Sequence, residues 1–248
     1  MVKYGRSNKH ENGTMKAIRK VATVIAALAI GAAPLQAQWS GSVYGTAEID
    51  TNDTNLLLAG LTLSPGGSGD VSPFFGLQGY RLSYKLGTGN STVYAFRPSV
   101  GLRFRLSPDA SATASVGYAF TDKDVPPTAL ASSADRGDGV VVAGSLDLHP
   151  ASSNINWIAM GSYNFGSESL WARLRAPIGL RTNENGKFSL APEVSFINGS
   201  GYNAVQPGVV LLWQGNTGFG FGAGVAFNMP NQGDNSTVFK VEASHSLF

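Results

Sequence analysis

From residue 39 onward the chain alternates. Stretches of roughly ten residues carry apolar side chains at every second position, with Gly, Asn, Asp, Ser and Pro between them. Twelve such stretches lie near 39–50, 55–64, 73–87, 91–106, 110–121, 138–149, 154–166, 169–182, 187–198, 203–215, 218–229 and 236–248. The clearest is Ser91 to Leu106. Tyr94, Phe96, Pro98, Val100, Leu102, Phe104 and Leu106 share one parity; Ala95, Arg97, Ser99, Gly101, Arg103 and Arg105 share the other. A strand sends successive side chains to opposite faces, so one face here is unbroken hydrocarbon and the other bears charge. Leu170 to Arg181 and Phe219 to Phe227 repeat the split, the latter as Phe, Ala and Val against Gly218, Gly220, Gly222 and Gly224.

The pattern predicts an all-β fold: an antiparallel transmembrane β-barrel of about twelve strands, each long enough to cross a bilayer. A soluble sandwich alternates too, but its polar faces meet water and carry abundant Lys and Glu. Only 14% of this chain is charged, against about 25% in an average soluble domain. Longer connections, Thr121–Gly137 foremost, fall at odd-numbered turns and are expected outside the cell, with short periplasmic turns between. Tyr84, Tyr94 and Phe120 are expected together in an interfacial aromatic girdle.

Residues 15–37 have the form of a secretory leader. Lys16, Arg19 and Lys20 precede the apolar run Val21–Ile30, and Ala37 offers a small residue for cleavage. This divides the chain into an N-terminal extension with its cleaved signal peptide (1–37) and an outer-membrane barrel (38–248), with Met15 an alternative start to Met1. The leader region holds six of the 18 Lys/Arg and one of the 16 Asp/Glu, so the remainder is net −3 despite a formal +2 overall. That removes the electrostatic basis for nucleic-acid binding. With no cysteine there is no disulfide or thiol chemistry.

The inward faces carry Arg81, Lys85, Arg97, Arg103, Arg105, Arg173, Arg175, Arg181 and Lys240 against Glu48, Asp147, Glu193 and Glu242. Two readings stand open. Basic side chains lining a narrow pore select anions or oxygen-rich chains, with Tyr44 and Trp171 able to stack on sugar rings; or Arg and Glu pair across strands and plug a small lumen. No catalysis is expected, since neither His149 nor His245 has an evident nucleophile partner: Ser244 and Ser246 flank His245, but neighbours in a strand point to opposite faces. Asp122 and Asp124 lack the spacing of a calcium loop, so no metal and no cofactor is implied. Phe248 ends the chain as barrels read by the outer-membrane assembly machinery do. Its parity is one residue out from Phe239, Val241 and Ala243, a mismatch that a β-bulge reconciles.

Tyr163-Asn164-Phe165, Trp171-Ala172-Arg173-Leu174-Arg175, Ala191-Pro192-Glu193 and Tyr202-Asn203-Ala204-Val205-Gln206 occur in an order that resembles the cellulose biosynthesis protein BcsS family, with looser likeness at Tyr44-Gly45 and Gly79-Tyr80. The family commonly has Gly where Ala191 stands. The resemblance implies an outer-membrane barrel accessory to cellulose or exopolysaccharide secretion. Its partners would be outer-membrane lipid, a polysaccharide chain and the cellulose-export machinery, with Trp171, Arg173 and Arg175 on the glucan. The charge pattern suits instead a narrow porin for acidic oligosaccharides or anions, and a non-conducting structural barrel is the third reading.

Overall fold

The structure, a computed structural model, describes residues 39–65, 69–86, 89–124, 137–199 and 202–247. The expected leader, Phe248 and most of the Thr121–Gly137 loop lie outside these residues. The elements are β1 (Trp39–Asp50), β2 (Asn55–Pro65), β3 (Val71–Leu86), β4 (Gly89–Ser107), β5 (Ala110–Asp124), β6 (Gly139–Leu148), β7 (Trp157–Asn164), β8 (Ser169–Arg175), β9 (Ile178–Asn183), β10 (Gly186–Gly199), β11 (Tyr202–Gly215), β12 (Phe219–Pro230) and β13 (Ser236–Leu247). Neighbours pair antiparallel, and β13 returns to β1 from Asp50↔Val238 to Gly41↔Leu247, closing the ring.

β8 and β9 are two halves of one stave. Both pair with β10, β8 along residues 193–198 and β9 along 186–190, so the closed barrel has twelve staves. The break falls at Ala176-Pro177, where proline has no N–H for the ladder. Backbone bonds bridge it: Ala176 N–H donates to the Pro192 carbonyl (2.9 Å), and Asn156 N–H to that of Pro177 (2.9 Å). Closure leaves no open edge, the condition for a sheet to stand in lipid. With an even number of staves, Trp39 and Leu247 lie at the same rim, below called the terminus rim; the opposite one is the outer rim.

The lipid-facing surface follows the expected alternation on β4, β8, β11 and β12. Val100, Leu102, Leu174, Leu211, Phe221 and Val225 are all outward and exposed. Aromatic pairs mark both ends of this band. Tyr118–Phe120 and Tyr163–Phe165, each with ring centroids 4.9 Å apart, lie toward the outer rim. Trp39–Phe75 at 6.4 Å and Trp213–Phe219 at 6.1 Å lie toward the terminus rim. Amphipathic rings at two heights are what a bilayer interface favours.

Four sequence expectations change. Tyr84 pairs with Ser91 on the inward face, so it is not part of the girdle with Tyr94 and Phe120. Arg81 pairs with Leu57 and Tyr94 and therefore faces outward, as does Lys85 by the same parity. The reason is length: β3 has 16 residues, whereas about 9–11 cross the bilayer, so its outer end carries charge beyond the hydrocarbon. Arg181 is also outward. A register shift beside Phe188 and Ser189 sets it opposite Phe188, and an extra residue in one strand turns the following side chain to the other face. Finally, β13 pairs without a shift with β1 as far as Leu247 and with β12 as far as His245, so the ladder with β1 has no bulge before Leu247.

Candidate functional site in the barrel lumen

The inward face divides into a filled part and an open part. Toward the outer rim the inward residues Ser91, Val93, Ala119, Val141, Asn228 and Ser236 are buried. Toward the terminus rim the inward residues Ser40, Arg103, Arg105, Gln214, Ser244 and Ser246 are exposed. The lumen is therefore a vestibule that narrows away from the termini.

One wall of the filled part is a charge network. Arg175 donates from Nε and Nη2 to Glu193 Oε2 (2.8 and 2.5 Å), and from Nη1 and Nη2 to the two oxygens of Glu242 (both 2.8 Å). Arg173 reaches Glu242 at 3.0 Å and Glu48 at 3.5 Å. Lys240 donates to Glu193 Oε1 at 2.7 Å and lies 3.6 Å from Glu48. Three cations meet three carboxylates, drawn from β1, β8, β10 and β13. The Glu193 side chain is 0% exposed and that of Lys240 1%. Bidentate, charge-assisted bonds of this kind are the strong ones, and burying such charges is tolerable only when all are paired.

The glycines of β12 make the span possible. Gly224 is the ladder partner of Lys240 and Gly222 of Glu242. A Cβ on Gly224 would come within 2.8 Å of Val210 Cγ2, and one on Gly222 within 2.9 Å of Leu212 Cδ2. Side chains from β13 thus cross β12 where it bears no side chain of its own, alongside Val210 and Leu212 of β11, to meet β8 and β10. Beyond the network a hydrogen-bond chain continues toward the outer rim: Gln206 Nε2 to Asn228 Oδ1 (3.1 Å), Asn228 Nδ2 to Ser236 Oγ (3.3 Å), and Ser236 Oγ to Asp50 Oδ2 (2.7 Å).

The facing wall is built differently. Tyr44 on β1 lays its ring across Gly60, where an added Cβ would fall within the ring, and its hydroxyl accepts from Gln78 Nε2 at 3.2 Å. Gln78 Oε1 accepts from Arg97 at 3.4 Å; Arg97 also donates to the Tyr80 hydroxyl at 3.2 Å and sits 4.7 Å over that ring. Arg103 and Arg105 follow on the same face of β4. Among the described residues none of these three guanidiniums forms an ion pair with a carboxylate. At the terminus rim Arg103 and Arg105 line a cavity of about 300 Å³ with Ser40, Ser64, Ser72, Ser111, Asp70, Pro65 and Gly69.

The structure thus separates residues the sequence grouped together. Arg173, Arg175 and Glu193 belong to the network. Trp171 faces inward beside it, stacked 5.1 Å from the Arg173 guanidinium. Tyr44, Arg97, Arg103 and Arg105 line the open side, and Arg81 and Arg181 leave the lumen altogether. Missed by sequence reasoning were Gln78, Tyr80 and the four cavity serines. Gln78 and Tyr80 escaped notice because the parity assumed for β3 was inverted; serines at strand ends give no signal. Among the described residues no group of three or more His, Asp or Glu gathers as a metal site.

This architecture defines the chain as an outer-membrane β-barrel. No protein-family model and no curated protein matches it. Solved structures do. It is similar to an outer-membrane channel from Pseudomonas putida F1, with a TM-score of 0.53 and 12% identity over 85% of this chain and 95% of that one. It is also similar to the KdgM porin in complex with disordered oligogalacturonate, with a TM-score of 0.51 and 9% identity over 84% and 99%. The NanC porin gives a TM-score of 0.50 and 10% identity over 83% and 100%.

Proposed function

We propose that this barrel is a narrow porin-like channel for anions, acidic oligosaccharides in particular. The observation that carries the reading is the row Arg97, Arg103 and Arg105 on one inward face of β4, none of which forms an ion pair with a carboxylate among the described residues, with Arg103 and Arg105 exposed in the vestibule. Fixed positive charge in a low-dielectric groove concentrates anions and lowers their entry barrier. The three arginines span nine residues of strand, about eight steps or about 27 Å at ~3.4 Å per step, a length over which an extended anionic chain exchanges one guanidinium for the next. The aromatic faces of Tyr44 and Tyr80 beside Arg97 supply apolar contact for sugar rings. That two barrels of similar fold are porins, one of them solved with oligogalacturonate, adds support at the level of the fold.

Secretion of a neutral glucan, implied by the sequence resemblance to the BcsS family, finds less support. Its motif residues Arg173, Arg175 and Glu193 are spent in the ion-pair network, which leaves Trp171 as the one inward aromatic of that motif on β8. Liposome swelling separates the readings. Barrels reconstituted in vesicles should admit a sugar-acid dimer or trimer faster than a neutral oligomer of equal length. Equal rates, or faster entry of the neutral oligomer, would overturn the anionic reading.

A further inference from the structure

We infer that the cavity at the terminus rim is a binding site for the carboxylate of a sugar acid, a docking station at one mouth of the channel. The inference deepens the channel reading and rests on it for the direction of traffic. Arg103 and Arg105 are i and i+2 on β4, so both guanidiniums project from one face into the same space. Among the lining residues two guanidiniums stand against the one carboxylate of Asp70; the inward Asp147 on β6 is the ladder partner of Ser111 and lies outside the lining. Asp70 also fixes the mouth, since its carbonyl accepts the Arg105 N–H at 2.7 Å.

The hydroxyls sort themselves. Ser64 Oγ donates to the Pro73 carbonyl at 2.6 Å, so its proton is committed. Ser40, Ser72 and Ser111 have no side-chain hydrogen bond among the described residues and come from three different strands around the cavity. Paired guanidiniums match a carboxylate in bidentate fashion, while a ring of free hydroxyls matches the hydroxyls of a sugar. A volume of about 300 Å³ lies at the lower end of small-molecule clefts, which fits one sugar residue better than a bare ion.

The cavity differs in kind from the Arg97 station, where the guanidinium is already held by Gln78 and Tyr80. It is also distinct from the charge network, whose cations are all paired. Arg181 supplies a matched control: it lies toward the same rim but outside the barrel.

Titration calorimetry on the detergent-solubilised barrel tests the site without requiring conduction. The probes are D-galacturonate, its linear trimer, D-galactose and sulfate. Galacturonate should bind and galactose should not. R103Q/R105Q should weaken galacturonate at least about tenfold, the cost of losing one charge-assisted contact, whereas R181Q should leave it within about twofold. A trimer tighter than the monomer identifies the chain end of an oligomer as ligand; equal affinities identify the free sugar acid. Sulfate as tight as galacturonate, equal binding of galactose, or an R181Q loss as large as that of the double variant would overturn the inference. If the double variant does not fold, R103Q and R105Q singly must each weaken binding. Calorimetric binding in a barrel that never conducts would sink the channel and keep the site; conduction without binding would do the reverse.

Discussion

Glu193→Gln probes the network at its most buried point. The substitution keeps size and one acceptor oxygen but removes the charge that Arg175 contacts twice and Lys240 once. The cluster passes from three cations and three carboxylates to three and two. With its side chain 1% exposed, Lys240 then keeps only Glu48, 3.6 Å away. Leaving a buried charge without its partner costs about 3–5 kcal/mol. Equilibrium unfolding in urea with lipid vesicles, followed by heat-modifiable migration, reads this as a lower midpoint with an unchanged slope. Glu193→Gln combined with Lys240→Met restores the charge balance and should recover about 1–3 kcal/mol of the loss, the coupling expected of contacting residues. A Glu193→Gln cost below about 1 kcal/mol, the range of solvent-exposed pairs, would refute the argument, because it would mean that water screens the network.

Other perturbations test other parts of the account. Val100→Arg, at the centre of the outward run from Tyr94 to Leu106 on β4, should cost about 2–4 kcal/mol in the same assay; a neutral result would place that face away from lipid. Gly60→Ala should cost about 1–3 kcal/mol by driving a methyl group into the Tyr44 ring. In a Tyr44→Ala background the same change should be nearly silent, and an undiminished cost would show that the ring does not occupy the groove. Arg81→Gln should leave ion selectivity as it is, because Arg81 faces outward; a fall in selectivity would return it to the lumen.

The strands were legible because alternation is a local property, and β1, β4, β11 and β12 fall within about two residues of their sequence boundaries. Parity failed where local pattern and global geometry part. On β3 a polar-in, apolar-out rule assigned Arg81 and Lys85 to the lumen, yet the strand outruns the bilayer and its outer end obeys water instead. At Arg181 one irregular pairing beside Phe188 reversed the facing, and nothing in Leu180-Arg181-Thr182 announces it. The network shows a different limit. Sequence parity pointed Glu48, Arg173, Arg175, Glu193, Lys240 and Glu242 inward, but which of them meet depends on the stagger between strands whose contacting residues lie 18 to 192 positions apart in sequence. That stagger is fixed only when β13 closes on β1. The same closure distributes the inward charges wall by wall: ion pairs fill the side spanned by β8 to β1, whereas Arg97, Arg103 and Arg105 on β4 form none among the described residues.

The central claim, that the unpaired arginines of β4 make this barrel a route for anions, is met most directly by the reversal potential of single barrels in a planar bilayer under a KCl gradient. The wild type should prefer chloride, and Arg97→Gln, Arg103→Gln and Arg105→Gln together should move the reversal potential toward zero or past it while heat-modifiable migration stays the same. A wild-type barrel that prefers potassium, that never conducts, or whose preference survives the triple substitution contradicts the claim.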